Sequence, residues 1–283
     1  MDNDEAWDFN PRAEVVADVV ARALAEDLGL PGDLTSIAVI PEDAHGSARI
    51  VAREPGVLAG TAAAIEAFRQ VDKTVEIKAH MRDGNNLREG DTILTVAGPF
   101  RSLLGGERTA LNLLQHCSGV ATLTRSFVEA VRGRSEIRDT RKTLPGLRAL
   151  EKAAVRAGGG TNHRHGLSDG VLIKDNHLVH SDLMGAVKKA KALFPDLVIE
   201  VECDTVMEVK EAVAAGADLI LLDNMSPAVV VEAISVSDGV ALEVSGGVTL
   251  ETVAAYGATG VRYISVGAIT HSAPALDIAM DFD

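Results

Sequence analysis

The sequence predicts an α/β protein in which a mixed N-terminal unit precedes an open, incomplete barrel of the TIM type. Hydrophobic residues make up 47% of the 283 residues and aromatic residues only 3%, a composition typical of aliphatic strands covered by Ala-rich helices. From residue 136 onwards, short apolar runs alternate with amphipathic stretches. Regular alternation of this kind indicates parallel strands joined by right-handed helical crossovers.

The first part of the chain has the pattern of a mixed α and β unit. Valines and leucines at spacings of three and four predict a helix over 11–28, followed by a Gly- and Pro-containing loop over 29–35. A helical region from 101 to about 132, with a break near Ser118-Gly119, is expected to connect this unit to the barrel. Strands are predicted over 47–53, 74–81 and 92–97, with a short helix over 61–71.

The barrel is predicted to contain about six β-then-α units, which is fewer than the eight of a complete TIM barrel. We expect an N-terminal domain over 1–115, the barrel over 116–270, and a tail over 271–283 that returns to the N-terminal domain. The predicted strands are 136–140, 170–174, 197–202, 219–223, 241–245 and 261–266, and the predicted helices are 183–193, 205–214, 227–235 and 250–255.

Positive charge is concentrated in one window of an acidic chain. The formal net charge is −14, yet ten of the 27 Lys and Arg residues lie within 132–177, against five acidic residues. Fixed cations gathered in this way predict a site for a small, strongly anionic ligand. The acidic balance, without a basic stripe interleaved with aromatics, argues against nucleic acid as a partner.

The sequence also limits the compartment. The acidic start, residues 1–5, lacks the basic-then-apolar order of a secretory signal. No apolar run approaches the ~18–20 residues that a membrane span needs, so we expect no membrane association. Cys117 and Cys203 lie far apart with no CxxC motif, which favours a reduced, cytoplasmic location.

Polar residues follow every predicted strand of the barrel, where the reactive groups of such folds lie. Cations follow the early strands and can clamp a diacid, because Arg grips a carboxylate with a bidentate fork. These candidate cations are Arg141, Lys142, Arg164 and Lys174.

The later strand ends carry carboxylates and glycines. Glu202 and Asp223 end neighbouring strands, at the spacing needed to hold Mg²⁺ or the hydroxyls of a ribose. Backbone N–H groups at loop-to-helix junctions commonly bind phosphate after the late strands of a barrel. The segments that offer them are Ser245-Gly246-Gly247 and Val266-Gly267-Ala268.

Three alternatives accompany this interpretation. His163 and His165 are spaced as a metal pair, although the Arg between them favours a hydrogen-bonding role for His163 towards an anion. Glu202 and Asp223 can instead be salt-bridge partners of Lys174. Cys203 has no basic partner in sequence, which predicts a buried, inert thiol.

The strand ends also carry a resemblance. The segments 139–148 (DTRKTLPGLR), 158–164 (GGGTNHR) and 172–177 (LIKDNH), with 200–202, 222–224 and 245–247, resemble the quinolinate phosphoribosyltransferase family, also called carboxylating nicotinate-nucleotide pyrophosphorylase. The likeness extends upstream to 32–35 and 107–112, and downstream to 267, 270–272 and 275–277, so it covers nearly the whole chain.

The resemblance implies an N-terminal α/β sandwich, an open barrel, and a homodimer with sites shared between subunits, with a hexamer of three dimers as a further state. Lys142, Lys174, Glu202 and Asp223 would be catalytic, with Mg²⁺ near the two carboxylates. Arg108 would reach in from the neighbouring subunit. Quinolinate would be held by Arg108, Thr140, Arg141, Lys142, His163, Arg164 and Lys174. Phosphoribosyl pyrophosphate would be held by Glu202, Asp223, Ser245, Gly246, Gly247, Val266, Gly267 and Ala268.

The implied reaction transfers phosphoribosyl from phosphoribosyl pyrophosphate to quinolinate with loss of CO₂, giving nicotinate mononucleotide for NAD synthesis. Two rival functions remain. One is a transferase with the same scaffold acting on another acid, such as nicotinate. The other is a barrel that binds a phosphorylated metabolite without catalysis. The number of cations favours a diacid, since one carboxylate needs about one Arg.

Overall fold

A computed structural model describes residues 11–283. The acidic start at 1–5, which we expect not to be a secretory signal, lies outside the described residues. The first elements in chain order are α1 (Ala13–Leu28), α2 (Leu34–Val39), β1 (His45–Ala52), β2 (Gly56–Val57), α3 (Thr61–Val71), β3 (Glu76–Ala79), β4 (Asn86–Leu87), β5 (Thr92–Pro99) and α4 (Phe100–Val131).

The second half of the chain alternates strands and helices, as the sequence predicts. Its elements are β6 (Glu136–Arg138), α5 (Arg148–Ala157), β7 (Val171–Ile173), α6 (Asp175–Leu178), α7 (Leu183–Leu193), β8 (Ile199–Cys203), α8 (Val206–Ala215), β9 (Leu219–Asp223), α9 (Pro227–Val236), β10 (Ala241–Ser245), α10 (Leu250–Gly257), β11 (Tyr263–Ser265), α11 (Ala268–His271) and β12 (Ile278–Phe282).

Contacts divide the chain into two compact units. Among the described residues, the first contains 11–125 together with Thr143–Gly159 and Ile269–Asp283, and the second contains Ser126–Lys142 and Gly160–Ala268. The first unit therefore includes α5 and the C-terminal strand as well as the N-terminal elements.

The first unit contains a four-stranded antiparallel sheet with the order β12-β1-β5-β3. The C-terminal strand β12 pairs with β1, from Ala48 opposite Phe282 to Ala52 opposite Ile278. Helix α1 contacts α3 and buries the valine stripe that the sequence predicts to be its apolar face. Sheet and helices thus form the expected α/β sandwich.

Two local predictions in the first unit are wrong. The predicted loop over 29–35 ends early, because the Asp33 side chain accepts hydrogen bonds from the N–H groups of Thr35 and Ser36 and caps α2. The predicted break near Ser118-Gly119 is absent, and α4 is one helix of 32 residues. Ser118 instead bonds the backbone of Ala59 through its hydroxyl, at 3.1 Å to both N and O.

The second unit contains a six-stranded parallel sheet with the order β6-β11-β10-β9-β8-β7. A single parallel bridge from Arg138 to Thr161 lies beside β6. All six predicted strands are present, shifted by one or two residues at several ends. Because the strands are parallel, their carboxyl ends meet at one edge, which is the arrangement of an open α/β barrel.

Local sequence explains where the barrel helices begin and end. Thr205 and Glu208 form a capping box at the start of α8, with reciprocal side-chain to backbone bonds. Asp182 caps α7 by accepting from the Gly185 N–H at 2.7 Å. Gly216 closes α8 in a left-handed conformation that favours glycine. Each signal fixes a crossover between parallel strands.

The two cysteines are free and buried. Burial raises the pKa of the Cys203 thiol to about 12, and burial also raises the pKa of Cys117. The prediction that the Cys203 thiol is buried is confirmed, and that it is inert stays a prediction. Over residues 11–283, no helix combines the length and the apolar character that crossing a membrane would require.

Candidate active site

The carboxyl ends of the barrel strands surround an open cavity of about 420 Å³ in the second unit. The cavity brings together most of the side chains that the sequence analysis assigns to the site. The predicted residues that line it are Thr140, Arg141, Lys142, His163, Arg164, Lys174, Glu202, Asp223, Ser245, Gly246 and Gly247.

The other predicted residues do not line this cavity. The N–H of Val266 donates to the Arg138 carbonyl at 2.9 Å as part of the sheet, and Gly267 and Ala268 follow it at the start of α11. Arg108 lies exposed on α4 in the first unit. The ligand roles of these four residues stay predictions.

The glycine-rich end of β10 has a conformation that requires glycine. Gly246 has φ +93° and Gly247 has φ +62°, both in the region that L side chains rarely adopt. A Cβ at Gly246 would collide with the side-chain oxygen of Asn224, whereas one at Gly247 would meet nothing within 4 Å. Asn224 itself has φ +53° and its N–H donates to the Ser245 carbonyl at 2.8 Å. The two strand ends therefore form one tightly fitted turn.

The cationic side of the cavity begins after β6. Thr140 orients this segment, because its hydroxyl accepts the Lys142 N–H at 3.0 Å. Arg164 donates to the Gly170 carbonyl at 2.9 Å, which directs its guanidinium. Burial and the neighbouring charge of Arg141 lower the pKa of Arg164. Two guanidiniums placed this close favour an anionic ligand between them.

Lys174 and Glu202 contact each other across the ends of β7 and β8. The Lys174 side chain is 41% exposed and that of Glu202 is 14% exposed. The salt-bridge alternative is therefore realised for Glu202. Asp223 accepts a hydrogen bond from the Asn224 amide at 2.7 Å. Both carboxylates line the cavity, so pairing with Lys174 does not exclude a ligand role.

His163 uses both ring nitrogens within the protein. Its Nδ1 accepts the Arg164 N–H at 2.8 Å, and its Nε2 lies 2.9 Å from Glu200 Oε2. Nε2 therefore carries the ring proton and donates it to the carboxylate. Burial opposes a charge on the ring, but Glu200 and Glu243 favour one and raise the pKa of His163. The anion to which His163 donates here is Glu200.

A buried polar network beneath the cavity was not predicted from the sequence. Glu243 on β10 has no exposed surface and accepts from Arg138 Nη1 at 2.7 Å. The Arg138 guanidinium lies 3.3 Å over the Tyr263 ring. Ser265 donates its hydroxyl to the Glu243 carboxylate. A glutamate in the middle of the otherwise largely apolar strand β10 is the signal that would have revealed this network.

Asp139 anchors the segment that carries His163. It is fully buried, and its carboxylate accepts the His163 N–H at 3.0 Å and the Asn162 amide. Among residues 11–283, the group of three potential metal-binding side chains whose ligand atoms lie within 4.8 Å of one another consists of His163, Glu200 and Glu243. His165 is not part of it, and its N–H donates to Asp169. The geometry gives no support to the His163–His165 metal pair.

These features define a class, namely open-barrel α/β proteins with a cationic ligand pocket at the carboxyl ends of the strands. The family model for the quinolinate phosphoribosyl transferase N-terminal domain matches residues 33–118, and the model for its C-terminal domain matches residues 120–281. The chain belongs to this quinolinate phosphoribosyl transferase family, as the sequence resemblance implies.

Known relatives are similar to this chain over nearly its full length. The chain is 47% identical over 260 residues to the probable nicotinate-nucleotide pyrophosphorylase (carboxylating) of Bacillus subtilis, covering 90% of this chain and 89% of that protein. It is 44% identical over 276 residues to the nicotinate-nucleotide pyrophosphorylase (carboxylating) of Mycobacterium leprae, covering 95% and 97%. The solved nicotinate-nucleotide pyrophosphorylase from Francisella tularensis superposes with a TM-score of 0.92 at 39% identity, covering 97% of this chain and 98% of that chain.

Proposed function

We propose that this protein transfers the phosphoribosyl group of phosphoribosyl pyrophosphate to quinolinate and releases pyrophosphate and CO₂. The product is nicotinate mononucleotide, for de novo NAD synthesis. The observation that carries this proposal is the division of one cavity into two chemical sides. Cations lie after β6 and on either side of β7, while carboxylates and glycines lie at the carboxyl ends of β8, β9 and β10. The names of the carboxylating relatives support the same reaction.

The cationic side suits an acid with two carboxylates. Arg141, Lys142, Arg164 and Lys174 all line the cavity, and one carboxylate needs about one Arg. A planar pyridine diacid presents two adjacent carboxylates that bidentate guanidiniums can grip, and Thr140 can hydrogen-bond at their edge. Nicotinate, with one carboxylate, would leave part of this positive charge uncompensated.

The opposite side suits the phosphoribosyl donor. Glu202 and Asp223 would take the ribose hydroxyls, and the backbone at 245–247, with Val266, Gly267 and Ala268, would take the 5-phosphate. Two hard carboxylate donors also fit Mg²⁺. Slight desolvation and the neighbouring carboxylates of Glu208 and Asp223 raise the pKa of the exposed Asp204, because negative charge is concentrated at this edge. When bound there, Mg²⁺ would offset charge on the departing pyrophosphate.

The side chains then have separate tasks in the reaction. The pyridine nitrogen forms a bond to the anomeric carbon as the bond to pyrophosphate breaks, and Glu202 or Asp223 stabilises the oxocarbenium character of the sugar. The nitrogen becomes cationic, so the bond to the adjacent carboxylate breaks and its electron pair stays on the ring carbon. CO₂ leaves, and the ring carbon takes a proton from Lys142 or Lys174, both of which line the cavity.

The assembly is a further part of the proposal. We infer a homodimer in which Arg108 of one chain completes the quinolinate site of the other, since Arg108 is exposed on α4. Three such dimers would form the hexamer that the family resemblance also allows. A cytoplasmic location is supported by two free, buried cysteines.

Acid selectivity tests the proposed function. Purified protein is incubated with phosphoribosyl pyrophosphate and Mg²⁺, and pyrophosphate release is followed with either quinolinate or nicotinate as the acid. Release with quinolinate and not with nicotinate is the expected result. Release with nicotinate alone would mean that the cations serve a monoacid. No release with either acid would favour a different acid or a non-catalytic binding protein.

A further inference from the structure

The cavity that receives the diacid has a buried carboxyl in its floor. Glu243 and Ser265 both line the cavity, and Glu243 has no exposed surface. One oxygen of Glu243 accepts from Arg138, and the other lies 3.5 Å from His163 Nε2. A negative charge at this position would face the same ligand that the arginines attract.

Negative charge is crowded around this carboxyl. Glu200, which is 3% exposed, approaches the same His163 Nε2 from β8, and its Oε1 is buried without a hydrogen-bond partner. Two carboxylates thus share one ring N–H, while Arg138 supplies the fixed cation bonded to Glu243. Burying a second charge with incomplete compensation is unfavourable in a low-dielectric interior. Burial and the charge of Glu200 accordingly raise the pKa of Glu243.

The side chains around Glu243 come from the two neighbouring strands and from three further charged or titratable groups. Register pairs it with Leu221 on β9 and with Tyr263 on β11, so the adjacent strands contribute one apolar and one aromatic side chain. The charged and titratable groups that face it are Arg138 from β6, His163 from the segment between α5 and β7, Glu200 from β8 and Tyr263 from β11.

We propose that Glu243 takes up a proton when a dicarboxylate dianion enters the cavity, so that the dianion binds over a neutral floor. This inference rests on the proposed function, because it assumes a dianionic ligand at Arg141 and Arg164. The incoming negative charges raise the proton affinity of a nearby buried carboxyl. A proton added to His163 would instead occupy Nδ1 and break its bond from the Arg164 N–H. Glu243 lines the cavity that would receive the dianion and Glu200 does not, so Glu243 is the acceptor.

Linkage gives the sign of the pH dependence. A ligand that binds with uptake of one proton binds more tightly as pH falls, by up to about tenfold per pH unit between the higher pKa of the group in the complex and its lower pKa in the free protein. The effect ends below that pKa, where Glu243 is already protonated before the ligand arrives. Dicarboxylate affinity therefore rises towards acid and then levels off.

Calorimetry with phthalate measures this uptake without chemistry, because phthalate has two adjacent carboxylates and no ring nitrogen. Titrations between about pH 6 and 9, in buffers that differ in ionisation enthalpy, report protons taken up per site. We expect up to about one proton for the wild-type chain. Glu243→Gln retains the shape and an acceptor for Arg138 but cannot titrate. Its uptake is expected to be lower by the same amount, with affinity nearly independent of pH.

Two further variants make the test specific. Ser265→Ala retains Glu243 but removes a hydroxyl that stabilises its charged form, so the pH at which affinity levels off should move upwards. This variant also tests the proposal if Glu243→Gln does not fold. Glu251→Gln removes an exposed carboxylate on α10 and should behave as the wild type.

The contradicting results are distinct. Equal proton uptake by the wild type and Glu243→Gln across the pH range would overturn the proposal, as would an unmoved pH profile in Ser265→Ala. If neither phthalate nor quinolinate binds the wild-type chain, the dianion pocket itself is wrong and the proposed function fails. Binding without uptake at Glu243 leaves the proposed function in place and removes only this inference.

Discussion

Arg164 is the residue whose surroundings reveal most about the ligand. It lies partly buried beside Arg141, and its guanidinium is directed by the Gly170 carbonyl. Burial and the like charge both disfavour its ionised form, which is why its pKa is lowered. Such an arrangement is costly in the free protein and becomes favourable when a carboxylate bridges the two guanidiniums. Arg164 should therefore contribute to the binding free energy of the acid substrate and not to that of the phosphoribosyl donor.

Replacing Arg164 with Ala should raise the KM for quinolinate roughly ten- to a hundredfold, because a hydrogen bond to a charged group contributes about 1.5–3 kcal/mol. The KM for phosphoribosyl pyrophosphate should change little. Arg134→Ala, which removes an exposed arginine before β6, is the matched control. Steady-state kinetics with each substrate varied in turn gives both constants. An unchanged KM for quinolinate would remove Arg164 from the clamp.

Gly246 provides a second test at the scale of a single residue, namely whether the turn at the ends of β9 and β10 positions the phosphoribosyl donor. In Gly246→Ala the new Cβ would collide with the Asn224 side chain, so the turn at the ends of β9 and β10 must shift. We expect a large rise in the KM for phosphoribosyl pyrophosphate. In Gly247→Ala the new Cβ meets nothing within 4 Å. This variant should lower the free energy of unfolding by roughly 1–2 kcal/mol, because alanine is strained in the left-handed conformation.

Gly260→Ala, outside the cavity and with φ +86°, is the control for backbone strain alone. Its kinetic constants should match those of the wild type. If Gly246→Ala behaves like Gly260→Ala, the turn does not position the sugar phosphate.

The sequence predicts the residues at the rim of the cavity better than those at its floor. Lys174 follows directly after β7, Arg141 lies shortly after β6, and Asp223 is the last residue of β9. All three are at carboxyl ends of strands, and the location of functional groups at those ends of a parallel barrel is a general rule. Glu243 and Arg138 lie within strands, where the alternation of side chains determines which face they occupy. Their pairing depends on register between strands that are far apart in sequence, so the pattern of either strand alone does not reveal it.

At the scale of elements, α4 shows how packing overrides local signals. A Ser-Gly pair inside a helical pattern favours a break, but here both residues serve tertiary contacts in the first unit. Ser118 bonds the backbone of Ala59, and Gly119 lies so close to the Pro274 carbonyl that a Cβ could not fit. Close approach of the C-terminal segment therefore explains the glycine. Neither contact is visible in the sequence, because each partner is distant along the chain.

Gly119→Ala and Gly105→Ala make a matched pair within α4. Alanine is the better helix former by about 1 kcal/mol, so propensity alone predicts that both variants are more stable. At Gly105 the nearest atom to a new Cβ is a Val71 methyl at 3.6 Å, an ordinary contact, and the free energy of unfolding should rise. At Gly119 the collision should lower it by about 1–3 kcal/mol.

Urea unfolding of the wild type and the two α4 variants measures the difference directly. Increases of similar size in both variants would contradict the close-packing explanation for Gly119.

At the scale of the whole molecule, the proposed dimer makes a prediction about shared sites. Arg108→Ala chains and Glu202→Gln chains should each be nearly inactive alone. A mixed dimer contains one intact pocket completed by one intact Arg108, so random mixing should restore about a quarter of wild-type activity. Activity is measured after the two chains are unfolded and refolded together.

No recovery on mixing would mean that Arg108 does not act across subunits. Full activity of Arg108→Ala alone would remove this residue from the site. Each parent variant, refolded alone in parallel, is the control for losses during refolding.

The stoichiometry of products tests the central claim most directly, because the claim joins a diacid pocket and a phosphoribosyl pocket in one reaction. Quinolinate labelled in the carboxylate that leaves is incubated with phosphoribosyl pyrophosphate, Mg²⁺ and the purified chain, and all three products are quantified together. The account predicts CO₂, pyrophosphate and nicotinate mononucleotide in equal amounts throughout the time course. Pyrophosphate released without matching CO₂ and nicotinate mononucleotide would contradict it.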